Sequence, residues 1–173
     1  MLKHGYLWTV FSKLVARLDY PMYVVTASAS GRRAGCLVGF GTQTSIHPPR
    51  FLACISVKNR TYAVAAGATA LAVHFLSDEP RQRQLAELFG GETGDDIDKF
   101  DRCRWHSGPA GVPLLDEVKD RFVGRVLRRL DLGDHVGFLL EPTCFESDEV
   151  DRGGGFDALG FQDARGIEPG HVP

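Results

Sequence analysis

The sequence contains no apolar run that approaches the roughly 20 residues needed for a membrane-spanning helix. It also lacks a basic stripe, since 20 Lys and Arg are offset by 22 Asp and Glu, giving a formal net charge of −2. These absences predict a protein that neither spans a membrane nor binds nucleic acid. The first residues, MLKHGYLWTVFSKL, lack an apolar stretch followed by a small-residue cleavage site, so no secretory signal is expected.

Closely spaced cysteine pairs are also missing. The four cysteines are Cys36, Cys54, Cys103 and Cys144. Their apolar or mixed surroundings favour free thiols, which predicts a reducing, cytoplasmic location.

Metal-binding and common hydrolytic motifs are absent as well. The histidines are scattered, and the acidic residues from Asp95 to Asp101 lack the glycine and the terminal Glu of a calcium loop. No Gly-x-Ser-x-Gly motif occurs, and the Gly-rich residues 153–156 are not followed by Lys-Ser/Thr. We therefore assign no metal and find little support for a hydrolase or an NTPase.

What the chain does contain is enough apolar sequence for one domain. Its 173 residues are 43% hydrophobic, and a chain of this size can bury roughly 70% of its unfolded surface. We assign residues 1–146 to the domain. The Gly- and Asp-rich residues 147–173 form a tail that we expect to be mobile or ordered only against a partner.

Apolar periodicity predicts more strands than helices. Helices are expected before Pro21, over residues 62–67 and over residues 81–89, the last stopped by Gly90-Gly91. Strands are expected over residues 23–27, from about residue 34, and over 51–57, 71–76, 117–130 and 134–145. Because the strands come in hairpins with short helices between them, we predict a mainly β, antiparallel barrel rather than a doubly wound parallel sheet.

Residues 35–62, GCLVGFGTQTSIHPPRFLACISVKNRTY, place two strand-like segments around a glycine- and hydroxyl-rich turn. The glycines keep the main chain accessible, and the hydroxyl and amide side chains are possible donors to a phosphate or a flat heteroaromatic ring. Pro48-Pro49 then stiffens the entry to the next strand. Two other segments complete the pattern, Ser56-Val57-Lys58-Asn59-Arg60-Thr61 and Gly133-Asp134-His135.

These three segments, in this order, resemble the flavin reductase-like, FMN-binding split-barrel family over approximately residues 10–145. The resemblance implies a split β-barrel that binds FMN or FAD and reduces it with NADH or NADPH. It also implies a homodimer with the flavin near the subunit interface, and a monooxygenase that receives the reduced flavin. The resemblance leaves open whether FMN or FAD is bound and whether NADH or NADPH is the donor. It also leaves open which protein accepts the electrons.

The resemblance also assigns site residues. Gly35 is assigned to the cofactor site, and the backbone of Cys36, Leu37 and Val38 would line the flavin ring. Those expected around the ribityl phosphate are Thr42, Gln43, Ser45, Asn59, Arg60 and Thr61. Arg60 is the preferred charge partner because a guanidinium donates two parallel hydrogen bonds to a phosphate.

His135 would position the nicotinamide rather than transfer a proton, since hydride transfer needs no protein acid or base. A structural His135 that caps the turn at residues 131–133 is the simpler alternative, and Asp134 is expected to orient this turn through an Asx-type hydrogen bond.

The chain departs from the usual family pattern at Leu37, Gly39 and Phe40, where side-chain donors are common. Backbone N–H groups would then carry more of the flavin recognition, and Phe40 would either line the site or fill the core. Two alternative functions stay open at this stage. One is a flavin- or haem-binding electron carrier without nicotinamide turnover, and the other is a deazaflavin-dependent oxidoreductase.

Overall fold

The computed structural model describes residues 4–91, 97–147 and 155–167, with side chains described from residue 7 onward. The α-helices in these ranges are α1 (His4–Val15), α2 (Arg60–Ala65), α3 (Pro80–Gly91) and α4 (Phe161–Ala164). The strands are β1 (Tyr23–Ala29), β2 (Arg32–Val38), β3 (Gly41–Ser45), β4 (Arg50–Ser56), β5 (Ala70–Phe75), β6 (Trp105–Ser107), β7 (Pro113–Leu115), β8 (Arg121–Asp131) and β9 (His135–Glu146). Two 3-10 helices cover Lys99–Arg102 and Pro109–Gly111.

Seven strands form one antiparallel sheet in the order β2-β1-β5-β8-β9-β4-β3, and β6 pairs with β7 separately. The two edge strands, β2 and β3, are separated in the chain by only Gly39 and Phe40. This short connection requires the sheet to curl until its edges approach each other. The N–H of Cys54 donates to the carbonyl of Phe40 at 2.9 Å beside this junction. The predicted mainly β, antiparallel split-barrel fold is therefore confirmed.

The interior of the curled sheet is an apolar core. Alternate residues of β1, Tyr23, Val25 and Ala27, point into it, as the two-residue period of a strand requires. Tyr23, Phe51, Phe75 and Phe122 add edge-to-face and tilted ring contacts with centroids 5.3–6.2 Å apart.

A second core fills the space between the outer face of β1 and helix α3. Val24 from β1 and Phe89 from α3 are both almost completely buried in it. Leu159, from the C-terminal segment, belongs to the same cluster and is 1% exposed. The barrel thus has one covered outer face, and the chain's last described segment helps to cover it.

Most predicted elements are present. The β1–β2 and β8–β9 hairpins, helix α2 and the N-terminal helix lie where the sequence indicates. Helix α3 differs because Gly90 and Gly91 belong to its last turn instead of following it. Strands β3, β6 and β7 were not predicted.

Residues 155–167 differ from the expected mobile or partner-ordered tail. Bridges join Gly160 to Pro21 and Ala158 to Ser77, and Leu159 and Ala164 are buried. This segment therefore packs on the domain itself. Residues 148–154 and 168–173 lie outside the described residues, so the tail prediction stays untested there.

Helix α1 presents an apolar face to solvent. The exposed large hydrophobic residues of this helix are Leu7, Trp8, Val10, Phe11 and Leu14. Leu18, which follows the helix, is exposed as well. No helix in the described ranges is both long enough and apolar enough to cross a membrane.

Candidate functional site

A cavity of about 270 Å³ opens where β2 ends and β4 leads into α2. We call it the aromatic cavity. Its strand and loop lining comprises Met22, Cys36, Leu37, Val38, Gly39, Cys54, Ile55, Ser56, Lys58, Asn59 and Asp134. Its aromatic lining comprises Tyr20, Phe40, His135 and Phe161. The site therefore combines a flat apolar wall with a few polar groups, as sites for small organic ligands usually do.

The four rings contact one another in a chain along this wall. Tyr20 stacks on Phe161 with centroids 4.7 Å apart and an interplanar angle of 15°. Phe40 lies 6.2 Å from Tyr20 and 5.1 Å from His135. Phe40 is 56% exposed, so it lines the cavity and does not fill the core.

The backbone of Cys36, Leu37 and Val38 forms another part of the wall. Because β2 is an edge strand, alternate N–H and C=O groups of these residues point away from β1. Among the described residues, no strand pairs with this outer edge. The backbone of this edge alone can therefore donate and accept hydrogen bonds at the rim of a planar ring.

A second cavity, of about 360 Å³, lies along the earlier part of β2. We call it the basic cavity, because its lining includes Arg32, Arg33, Arg60 and Lys99. Gly35 and Thr61 also line it. Asn59 lines both cavities and marks the place where they meet. A ligand with a flat ring at one end and an anion at the other fits this arrangement of apolar and cationic surfaces.

Part of the positive charge in the basic cavity is neutralised. Arg33 pairs with Asp98, lies 3.9 Å from Asp101, and stacks over the Trp105 ring at 4.9 Å. Asp98 also caps the 3-10 helix by accepting from the N–H of Phe100 at 3.0 Å. The acidic segment therefore has a structural role at these positions. Asp95 and Asp96 lie outside the described residues.

No three His, Cys, Asp or Glu side chains come together as a metal site anywhere in residues 4–91, 97–147 and 155–167.

Asn59 and Thr61 are tied into the start of α2. The Asn59 side-chain oxygen accepts from the N–H of Thr61 at 2.9 Å, which caps the helix and leaves the amide N–H groups available. Thr61 is 2% exposed and its hydroxyl contacts the Cys36 thiol. Burial raises the pKa of that thiol to about 11, so Cys36 is a packed thiol and not a nucleophile.

His135 stands at the start of β9 and bonds through Nδ1 to Asp134 Oδ1 at 2.7 Å. This hydrogen bond lowers the pKa of the Asp134 carboxyl below its usual value. The adjoining turn is held instead by Asp131, whose carboxylate accepts from the N–H of Gly133 at 3.1 Å. Asp131, and not Asp134, therefore makes the Asx-type bond, and the His135 ring does not cap the turn.

Thr42, Gln43 and Ser45 lie on the edge strand β3. Thr42 and Gln43 are exposed, and none of the three lines either cavity. The Gln43 side chain donates to the carbonyl of Ser45 at 3.2 Å. The structure thus brings Gly35, Cys36, Leu37, Val38, Asn59, Arg60, Thr61 and His135 to the two cavities, but not these three. Their phosphate role stays a prediction that the geometry does not favour.

Two aromatic residues of the aromatic cavity were not predicted, Tyr20 and Phe161. Tyr20 carried a weak signal, because it is an aromatic residue between a helix and Pro21. Phe161 carried none, since it lies in a segment rich in glycine and acid. Their contact joins positions 141 residues apart, which no local pattern reveals.

Comparison with known proteins agrees with this geometry. Residues 15–165 match the family described as flavin reductase like domain. A ferric-chelate reductase (NAD(P)H) of Archaeoglobus fulgidus is 25% identical over 131 residues, which is 75% of this chain and 77% of that protein. An FMN reductase (NADH) RutF of Methylorubrum extorquens is 29% identical over 125 residues, which is 72% of this chain and 60% of that protein.

A solved structure of a flavin reductase shares the fold. The crystal structure of the flavin reductase HpaC complexed with NADP⁺ superposes with a TM-score of 0.77 at 16% identity. The match covers 91% of this chain and 94% of that one. The family match extends over most of the chain and includes both cavities. This chain therefore belongs to the flavin reductase like domain family.

Proposed function

We propose that this protein is an NAD(P)H-dependent flavin reductase that holds the flavin ring in the aromatic cavity and the phosphate in the basic cavity. The observation that carries the proposal is the outer edge of β2, which lines both cavities. Its unpaired backbone groups at residues 36–38 replace the side-chain donors that Leu37, Gly39 and Phe40 do not supply. The name of the FMN reductase (NADH) RutF supports flavin and nicotinamide as the substrates, and the name of the ferric-chelate reductase (NAD(P)H) supports the nicotinamide.

The residues present fit a flavin phosphate. Arg60 is exposed beside Asn59, and both line the basic cavity. A guanidinium offers planar paired donors to a phosphate, and the Asn59 amide adds another donor. We assign these two residues, together with Arg32, to binding the phosphate of the flavin. Gly35 lines the same cavity without a side chain in the way.

A bound flavin would supply the chemistry, as the acceptor of a hydride from the nicotinamide. The chain's own residues hold and orient the two rings. His135 is 25% exposed and bonded to Asp134, so its ring is held at the cavity wall without being sealed off. We assign it to positioning the nicotinamide, since the rate depends on a reacting distance of about 3–3.5 Å.

The direct test is to mix the purified protein anaerobically with NADH or NADPH and added FMN or FAD, and to follow bleaching of the flavin absorbance. We expect rapid bleaching that depends on the protein and on the nicotinamide. The four combinations identify the preferred flavin and donor. A yellow protein that keeps its flavin through purification but oxidises neither NADH nor NADPH would support the electron carrier instead.

The reduced flavin requires an acceptor, and we propose a monooxygenase partner for it. We also propose a homodimer, supported by the exposed apolar face of α1. A cytoplasmic location is our prediction from the four unpaired cysteines.

A further inference from the structure

The C-terminal segment reaches the aromatic cavity through one side chain, Phe161. Its neighbours provide the anchors, because Leu159 and Ala164 are 1% and 8% exposed. Phe161 itself is only partly buried and lines the cavity together with Tyr20. Phe161 thus packs against the second core and also reaches the cavity, while Leu159 and Ala164 are buried in that core.

Several bonds fix this segment to the residues between α1 and β1. The N–H of Phe161 donates to the carbonyl of Tyr20 at 2.9 Å. The N–H of Gln162 donates to the Asp19 carboxylate at 3.0 Å, and its side-chain amide donates to the carbonyl of Leu18 at 3.1 Å. A Cβ at Gly160 would lie 2.5 Å from the Asp19 carboxylate, so only glycine allows this approach.

The bond from the Phe161 N–H to the Tyr20 carbonyl brings the two rings together. Phe161 covers one face of the Tyr20 ring, with centroids 4.7 Å apart. Gly39, which directly follows β2, leaves room for the Tyr20 ring. A Cβ at this position would lie 2.7 Å from Tyr20 Cε2. With one face covered, Tyr20 meets the cavity through its other face or its edge.

We infer that Tyr20 is a ring-positioning residue of the reductase site, and that Phe161 supports it from behind. This inference rests on the proposed function. The ligand group is a flat, electron-poor heteroaromatic ring, which both flavin and nicotinamide possess. An aromatic pair gains a contribution beyond its buried area, so loss of the Tyr20 ring should weaken binding of that ring about 2- to 12-fold.

The test compares four variants, one of them a control, with the wild-type chain. Tyr20→Leu removes the ring, whereas Tyr20→Phe keeps the ring and removes the hydroxyl. Phe161→Leu removes only the support. Phe156→Leu is the matched control, since Phe156 lies in the same segment, is 42% exposed and lines neither cavity. Thermal unfolding of each variant identifies those that fold.

Three kinds of measurement follow: the dissociation constant of FMN, the steady-state kinetics (KM and kcat) for NADH at saturating FMN, and the fluorescence of bound FMN. A stacked tyrosine quenches flavin fluorescence, so this signal reports ring contact and not general stability. A weaker FMN affinity with brighter bound FMN in Tyr20→Leu places the flavin ring on Tyr20. A raised KM for NADH with unchanged FMN affinity places the nicotinamide there.

We expect Phe161→Leu to show a smaller change of the same kind, and Phe156→Leu to match the wild type. Tyr20→Phe keeps the ring contact, so its loss of binding should be smaller than that of Tyr20→Leu. Any quenching by Tyr20 should be lost in Tyr20→Phe, because phenylalanine does not donate an electron to the excited flavin. Wild-type values in all three kinds of measurement for folded Tyr20→Leu would overturn the inference. If Tyr20→Leu does not fold, wild-type values in Phe161→Leu would do so. A wild-type chain that neither binds nor reduces flavin would instead overturn the proposed function, and this inference with it.

Discussion

At the residue scale, His74 shows how a buried polar side chain constrains the fold. It is completely buried, its Nδ1 lies 3.0 Å from the carbonyl of Val24, and its Nε2 accepts from the N–H of Leu115 at 3.1 Å. The backbone donor fixes the neutral tautomer, with the proton on Nδ1. Burial is the main cause that lowers the pKa of His74, to about 3. The imidazole thus links β1, β5 and β7 only while it is uncharged.

This arrangement predicts an acid-sensitive contribution to stability. The folded-state pKa of His74 lies below its ordinary value of 6.5, so the unfolded chain binds the proton more readily. The free energy of unfolding should fall as pH decreases from about 6.5 towards 3, by about 1.4 kcal/mol per pH unit from this residue. Urea denaturation of wild type and His74→Gln between pH 7 and pH 5 measures it. The stability gap should narrow at pH 5, and a gap that does not change with pH would contradict the prediction.

His135→Ala tests nicotinamide positioning. We expect flavin reduction to slow by up to about 100-fold, because small displacements of reacting atoms have effects of this size. The dissociation constant of FMN should change little. Stopped-flow reduction and fluorescence titration measure the two quantities separately. An unchanged reduction rate would refute the positioning role.

Arg60→Ala tests the phosphate assignment. The affinity for FMN should fall by about 1.5–3 kcal/mol, the usual contribution of a hydrogen bond to a charged group. Riboflavin, which lacks the phosphate, should bind equally well to both proteins. Arg17→Ala is a suitable control, because Arg17 is exposed and lines neither cavity. Equal losses for FMN and riboflavin would place Arg60 away from the phosphate.

At this scale the sequence predicted those site residues that lie next to each other in short motifs. Asn59, Arg60 and Thr61 could be predicted because a helix start keeps them together. Tyr20 and Phe161 could not, because their contact depends on tertiary folding. Thr42, Gln43 and Ser45 have suitable donors, but β3 pairs with β4 and carries them along the sheet edge.

At the scale of elements, the junction between β2 and β3 positions the site. Gly39 allows the chain to pass beside Tyr20 and Met22, whose side chains would lie 2.7 Å and 3.2 Å from an added Cβ. The β2 edge and the Tyr20 ring therefore share one narrow part of the cavity wall.

Gly39→Ala should displace the Tyr20 ring and lower the stability by about 1–3 kcal/mol, the usual effect of overpacking. FMN affinity should fall as well. Gly155→Ala is the control, since nothing lies within 4 Å of an added Cβ there. Chemical denaturation and FMN titration of both variants provide the measurements. Equal stability and equal FMN affinity of the two variants would contradict the prediction, because they would show that the chain around Gly39 accommodates a side chain.

The strands with alternating or continuous apolar residues were predictable, as were the hairpin turns at Gly31 and Gly133. Strand β3 was not, because its sequence GTQTS is polar and only its pairing with β4 makes it a strand. Helix α4 was missed for a related reason. It has four residues, and its position depends on Leu159 and Ala164 packing into a core formed by distant parts of the chain.

At the scale of the whole molecule, the curled sheet brings its two edges together and places the cavities outside one of them. Local sequence patterns could not predict the order of the strands in the sheet, because the pairings of β5 with β1 and of β4 with β9 join residues that are distant in the chain. Helix α1 remains as an apolar surface that the rest of the described chain does not cover.

This surface predicts a dimer in solution. Leu14→Glu, which places a charge on the apolar face of α1, should shift the protein towards monomers in light-scattering measurements. Lys13→Glu changes the charge at the neighbouring, exposed position and should leave the dimer intact. A stable dimer requires an interface of roughly 1,200–2,000 Å². The same mass for Leu14→Glu and wild type would exclude α1 from the interface.

The central claim is that one ligand occupies both cavities, and the crystal structure of the protein with FMN tests it most directly. We predict the isoalloxazine ring against the backbone of Cys36, Leu37 and Val38, and the phosphate within hydrogen-bonding distance of Arg60. Both cavities without flavin at a saturating FMN concentration, or flavin bound at another surface, would contradict it.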